Sequence, residues 1–387
     1  MQTQPNYIKS LDGVRAIAIL LVMAFHFGII RFGWMGVQLF FVLSGFLISS
    51  ILLKEKEKPS PLKERLKKFW IRRSLRIFPL YYIYLTVFVV ICLFTAFPPG
   101  YFRDLPYLYS YTFNLTRIAN SWHESPVYTH FWSLCVEEQF YLFFPFIIFL
   151  LSRRSLRGLL VAVLIAGPLF RWSFGNYLAQ NGKTSFEVFD VIYWFPLSHL
   201  DAFFTGTAIP LLGLKDRIKR PEWLFALGCI LAFGAGIVNY FFESHGHSLP
   251  TSMGYNFGDV NSYQHVWYYT VLNLFTASLL LLLVSSYSSV PGNFVKKMLE
   301  NNVLVAIGKV SYGMYILHWI IQTQLVERWI TVSESNKYWL FLIDVPVVYV
   351  FALLSFNFIE QRFIQLKDKF TTGNTPVKKA TTLSTKN

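Results

Sequence analysis

Arg15 and His26 stand eleven residues apart in LDGVRAIAILLVMAFHF, inside an otherwise apolar stretch. At about 100° per residue, eleven steps turn a helix by about 1100°, roughly 20° short of three full turns. Both side chains therefore share one helix face, about 16 Å apart along the axis. Ionisable groups inside membrane-length apolar segments are costly, and by default they mark a substrate or ion path. A guanidinium suits an anion, and an imidazole suits acid–base or nucleophilic work. Arg15 alone could snorkel to an interface, and His26 alone could be a packing residue. Together, with Asp12 beside Arg15, they point to function.

Other candidates follow the same logic. HFWSLCVEEQFYLFFP carries Glu137 and Glu138. As neighbours they point about 100° apart on a helix, so they are not expected to face one cavity equally. One carboxylate could orient a histidine or act as an acid or base, while the other reaches an interface. SYGMYILHWI holds His318, and LSHLDAFFTG holds His199 and Asp201, which are two apart and do not face each other. Asp201, near mid-segment, is the more suggestive of the two, and Asp344 is a weaker candidate. RRSLRIFP sets Arg73 and Arg76 one turn apart before Pro79. Such a pair suits phosphate through charge-assisted bonds, although ordinary positive-inside charge explains it better on spacing alone. GxSxG, HExxH, Walker and GxGxxG motifs are absent from the sequence.

The elements that must position these residues are legible in composition. Of 387 residues, 54% are hydrophobic, 19% aromatic and only 14% charged. Mean hydropathy is +0.42. A soluble domain carries roughly 25% charged residues, so the composition excludes a disordered chain, a coiled coil and an ordinary cytosolic enzyme. The net charge of +14 sits in short loops and does not indicate nucleic acid. Cys92, Cys135 and Cys229 lie in apolar stretches without a CxxC pair, so neither a disulfide framework nor a metal site is expected. No cleavable signal peptide is expected either.

Spans of about 20 apolar residues fall at 13–30, 34–53, 77–96, 131–151, 158–174, 191–213, 223–243, 267–288, 303–322 and 338–359. The expected fold is an all-α, polytopic membrane bundle of about ten transmembrane helices. With both termini cytoplasmic, 28 of the 35 Lys and Arg residues fall on the inner side, in accord with the positive-inside rule. The basic 54–76 segment reads as an interfacial amphipathic helix after Pro61. Residues 105–118, in a long outer loop, read as a re-entrant or interfacial piece. Aromatic Tyr101, Phe102, Tyr107, Tyr109, Tyr111, Trp122 and Tyr128 in that loop suit a sugar as well as an interfacial belt. A polar, disordered cytoplasmic tail is expected over 367–387, after a single membrane domain over 1–366. No internal repeat is evident.

In order along the chain, LDGVRAIAILLVMAFHF, GVQLFFVLSGFLIS, RRSLRIFPLYY, FWSLCVEEQFYLFFP, SYGMYILHW and FIEQRF resemble the acyltransferase 3 family of membrane-bound O-acyltransferases. The resemblance runs from about residue 7 to 365. It implies ten spans in the cytoplasmic membrane and transfer of an acyl group, usually acetyl from acetyl-CoA, to a hydroxyl of a glycan or other small acceptor on the extracytoplasmic side, without a metal. Some relatives add an extracytoplasmic SGNH hydrolase-like domain, and this chain looks like the stand-alone form. Arg15 and His26 match the R-x10-H motif, and Arg73 and Arg76 match the RxxR associated with the acyl donor. Glu137 matches the Glu of WSLxxExxFY. The resemblance thus implies His26, Glu137 and Arg15 in catalysis, and Arg73, Arg76 and Arg15 at the donor. His318, Asp201 and Trp132 are further candidates for substrate binding. IEQRF departs from relatives that carry Pro after the Glu, so no role is carried over to Glu360. His26 would act as general base or first take the acyl group, with Glu137 holding its imidazole. The competing reading is an ion-coupled transporter, since buried charges also line ion paths.

Overall fold

The computed structural model describes residues 7–94, 100–119, 125, 127–243, 250–255 and 260–371, and among these every regular element is helical. Helices α1 (Lys9–His26) and α2 (Met35–Lys56) form a hairpin, followed by α3 (Leu62–Phe94) and the short α4 (Tyr101–Tyr109). Next come α5 (Trp132–Leu150), α6 (Arg153–Gln180), α7 (Ser185–Trp194), α8 (Leu200–Leu212), α9 (Leu214–Arg217) and α10 (Pro221–Val238). The chain continues through α11 (Gln264–Val284), α12 (Val290–Leu299), α13 (Asn302–Lys309), α14 (Ser311–Ile321), α15 (Lys337–Ser355) and α16 (Gln361–Thr371).

By length and composition, seven helical stretches among the described residues can cross a membrane, or eight if the bent pair α13–α14 counts as one span. Two of the ten expected spans depart from that pattern. Helix α1 carries Lys9, Asp12 and Arg15 within 18 residues, a dense charge load for a spanning helix. The expected span 191–213 is broken. A capping box of Thr184 and Glu187 starts α7, and the chain then stops at Phe195, extended before Pro196 as the residue preceding a proline prefers. A 3₁₀ turn, Pro196–His199, leads into α8. The expected span 303–322 bends by 77° between α13 and α14.

The basic segment and the third span, expected as separate helices, are one helix. Helix α3 has 33 residues, about 50 Å at the helical rise. A hydrocarbon core of about 30 Å leaves its basic N-terminal turns free to extend beyond the bilayer. In the loop expected on the outer side, 105–118 is occupied by the end of α4 and a 3₁₀ turn, Phe113–Arg117. Tyr101, Tyr111 and Tyr128 are core residues, and Tyr111 stacks on Tyr81 with ring centroids 4.4 Å apart. Phe102, Tyr107 and Tyr109 remain exposed. Trp122 lies outside the described residues. Helix α16 continues to Thr371, and the rest of the expected tail, 372–387, lies outside the described residues.

Helices α2 and α8 pack backbone against backbone at the centre of the bundle. A Cβ on Gly45 would stand 2.0 Å from the Phe203 carbonyl oxygen, and one on Gly206 would stand 2.0 Å from that of Val42. Small residues allow such close approach between membrane helices. Beside this seam lies an ion pair that joins α6 to α8. Arg171 Nη1 donates to Asp201 Oδ1 at 2.9 Å, and Nη2 donates to Oδ2 at 2.8 Å. The remaining guanidinium donors reach the carbonyls of Ser198 and Val266 and the Thr270 hydroxyl. Its face lies 5.0 Å from the Tyr269 ring centroid. Asp201, expected at a substrate site, is therefore committed to Arg171 in the core.

Removing one partner of a buried pair leaves an uncompensated charge, at a cost of about 3–5 kcal/mol, whereas replacing both is often neutral. Arg171→Met alone is expected to lower unfolding stability in detergent by that amount. The double variant Arg171→Met/Asp201→Leu should recover most of the loss. Equal stability of the single variant and the parent would contradict a structural role for the pair.

Candidate active site

A cavity of about 120 Å³ is lined by Arg15, Arg73, Arg76, Glu137 and Glu138, with apolar walls from α2. Side chains from α1, α2, α3, α5 and α14 meet there. The three arginines of the two sequence motifs are thus brought together. Arg15 donates to Asp12, whose other carboxylate oxygen is held by the Tyr7 hydroxyl. The Arg73 guanidinium lies 5.1 Å from the Tyr141 ring centroid. Arg76 is exposed into the cavity and makes no hydrogen bond or ion pair with a described residue. Buried Glu360, to which no role was carried over, lies within electrostatic reach of Arg76.

Both carboxylates of α5 line the cavity, in unlike surroundings. Glu137 turns toward Ser44 of α2, and Glu138 lies within electrostatic reach of Arg73 of α3. Glu137 accepts from the Ser44 and Tyr141 hydroxyls through one oxygen. Those are its hydrogen-bond partners among the described residues, so it does not hold the His26 ring as the resemblance implied. The Glu137 and Tyr141 contact has the i,i+4 spacing of neighbours on a helix face.

His26 sits at the last residue of α1, outside the cavity lining, in a cluster of aromatic rings. Its ring centroid is 5.2 Å from that of His318 and 4.0 Å from that of Trp319. His318 is in turn 4.8 Å from His130. His318 Nδ1 is 2.8 Å from the Tyr315 carbonyl oxygen, and its Nε2 is buried without a partner among the described residues. His130 Nε2 is 3.4 Å from the Ile316 carbonyl oxygen. The cluster and the cavity share a wall. Tyr315 and Ser133 line the cavity and hydrogen-bond to each other, and the Tyr315 hydroxyl also donates to the His130 carbonyl at 2.8 Å. Among the described residues, no group of three or more His, Cys, Asp or Glu is placed to hold a metal ion.

The acyltransferase 3 pattern, described as an acyltransferase domain, matches residues 8–359. The chain belongs to the acyltransferase 3 family. It is 29% identical over 378 residues to a protein named peptidoglycan O-acetyltransferase OatA from Listeria monocytogenes serovar 1/2a, a match covering 92% of this chain and 55% of that relative. A putative O-acetyltransferase of Staphylococcus aureus strain COL is 30% identical over 378 residues, covering 92% and 57%. The O-acetyltransferase OatA of S. aureus strain NCTC 8325 is 27% identical over 373 residues, again covering 92% and 57%. The chain thus spans just over half the length of these curated relatives. No solved structure matches it.

Set against the acyltransferase 3 motifs, the two ends of the R-x10-H pair serve different places, with Arg15 at the cavity and His26 at the ring cluster. Asp201 and Trp132 reach neither. Trp132 is buried against Tyr193 and Trp194, at ring centroids 4.4 and 5.9 Å away. His199 packs nearby, with both ring nitrogens engaged by Gln38 and the Tyr193 carbonyl. The sequence reading missed His130, Trp319, Ser44, Tyr141, Ser133 and Tyr315. Most of these stand inside the family segments HFWSLCVEEQFY and SYGMYILHW, where their closeness to the charged residues was the available signal.

Proposed function

We propose that this chain is a membrane O-acyltransferase that moves an acetyl group from acetyl-CoA, taken up from the cytoplasm, to a hydroxyl of a glycan on the extracytoplasmic side. The reading assumes about ten crossings of the cytoplasmic membrane, both termini inside, a catalytic domain over 1–366 and a cytoplasmic tail beyond it. One observation carries it: a cavity bearing Arg15, Arg73 and Arg76 shares the Ser133–Tyr315 wall with a cluster that contains His26. Names of the relatives supply acetyl as the group and peptidoglycan as the acceptor class.

The chemistry divides along the path. Arg73 and Arg76 bind the phosphates of CoA, and Arg76, having no described protein partner, is the freer of the two. Glu137 and Glu138 accept from the amide N–H groups of the pantetheine arm, and Ser44 and Tyr141 keep Glu137 fixed for that work. The thioester then lies at the Ser133–Tyr315 wall. His26 removes the proton of the acceptor hydroxyl as its oxygen attacks the thioester carbonyl, so that a C–O bond forms and the C–S bond breaks. Alternatively, the imidazole takes the acetyl group first and hands it on. In both routes CoA leaves as the thiol and the imidazole returns to its neutral form. His318 borders the acceptor side.

Loss of a general base typically costs 10²–10⁴-fold. His26→Ala is therefore expected to lose about that much acetyl transfer to isolated peptidoglycan fragments, read as free-thiol release and labelled glycan, while inserting normally. Near-parental transfer would contradict the assignment. Retention of labelled acetyl-CoA by the parent together with transmembrane flux of a solute would favour a transporter instead.

A charge-assisted hydrogen bond contributes roughly 1.5–3 kcal/mol, about 10–150-fold in affinity. Arg76→Ala should weaken CoA binding within that range in direct titration of the solubilised protein, and Arg73→Ala should do so less because its guanidinium also stacks on Tyr141. Lys at either position should restore binding only in part, having lost the planar fork. CoA binding as tight as the parent's in both alanine variants would place the donor elsewhere.

A further inference from the structure

An acid–base histidine usually has a carboxylate to hold its positive charge, and His26 has none among the described residues. Glu137 is tied to Ser44 and Tyr141. The ring contacts of His26 are Phe25, His318 and Trp319. Its carbonyl receives the Gln322 amide at 3.2 Å, which fixes the end of α1 and leaves the imidazole nitrogens without a hydrogen bond to a described residue. The closest partner of the imidazole is the indole of Trp319, with centroids 4.0 Å apart and planes inclined by 34°. A cation within about 6 Å of an aromatic centroid is attracted by the ring face, and tryptophan is the strongest such partner.

We infer that Trp319 stabilises the positive charge of His26 during acyl transfer, its indole face doing the work a carboxylate does in a catalytic triad. The inference rests on the proposed reading that His26 is the reacting imidazole. It holds for either chemical route, because a histidine that has taken the acceptor proton and one that has taken the acetyl group are both cationic. In the first route the proton leaves the acceptor oxygen for the imidazole, the acetyl carbon joins that oxygen, and the proton passes to the departing sulfur. In the second, the acetyl carbon joins an imidazole nitrogen as the C–S bond breaks and CoA departs as the thiolate; the acetyl then passes to the acceptor oxygen, whose proton goes to that thiolate. The indole forms no bond in either route. It stabilises the charge while the charge exists, as the ring face does without offering a base that would compete for the proton. Of the titratable groups around this pair, His318 and His130 are imidazoles, with His130 5.7 Å from the Trp319 ring. The Glu327 carboxylate accepts from the same Gln322 amide that holds the His26 carbonyl, and it makes no hydrogen bond to the imidazole.

The test is site-specific replacement of Trp319 by tryptophans bearing one, two and three ring fluorines. These drain negative charge from the ring face while keeping its shape. Acetyl transfer from acetyl-CoA to isolated peptidoglycan fragments is expected to fall stepwise along the series, by about 2–30-fold in total, with Trp319→Phe between the extremes. A rate independent of fluorine number would overturn the inference, because a merely structural indole would not respond to its ring charge. A second readout needs no turnover. In the purified protein, the ¹⁹F resonance of monofluorotryptophan at position 319 should move with pH, and that movement should vanish in His26→Gln. A titration that persists unchanged in His26→Gln would overturn the pairing. If the parent consumes no acetyl-CoA while the ¹⁹F titration still depends on His26, the acyl-transfer reading fails and the charge contact between the two rings stands.

Discussion

A charged side chain inside an apolar bundle must either be closed off by a partner or open onto a polar space. Two sets of charges in this chain illustrate that rule. Arg171 and Asp201 close each other off completely: every guanidinium donor is engaged, and both carboxylate oxygens face the same arginine. Arg76, by contrast, has no partner among the described residues and looks into the cavity, with Arg15, Arg73, Glu137 and Glu138 around it. The first set explains how the helices are held, and the second lines the cavity proposed for the donor.

The cavity and the ring cluster are arranged in series. The Ser133–Tyr315 wall is built from the first turns of α5 and the middle of α14, two helices that reach it from far apart in the sequence. Through the Tyr315 hydroxyl and its bond to the His130 carbonyl, the cavity wall and the histidine cluster are fixed to each other. A reactive group at His26 is thereby held at a set position relative to anything anchored on the arginines, as transfer between bound partners requires.

Much of this was legible in the sequence, and what was not has physical reasons. Helical arithmetic alone placed Arg15 and His26 on one face, because both lie in an uninterrupted helix. It could not show that the ends of α1 serve different surroundings, since those come from α3 and α14. Asp201 drew attention as a carboxylate in an apolar segment, but its meaning depends on Arg171, 30 positions away. Glu137 and Glu138 were separated by the helical step between neighbours, yet both line the cavity. The break before α8 was written in Pro196. The bend between α13 and α14 is a tertiary matter with no proline to announce it. His130 and Trp319 are single aromatic residues in an aromatic-rich chain, and only packing distinguishes them from the rest.

The proposed path from arginine cavity to histidine cluster is most directly tested by determining the structure of the detergent-solubilised protein with CoA bound. Phosphate density beside Arg73 and Arg76, with the thiol reaching the Ser133–Tyr315 wall below His26, is the expected result. CoA bound outside this cavity, or bound within it with its thiol directed away from that wall, would contradict the path.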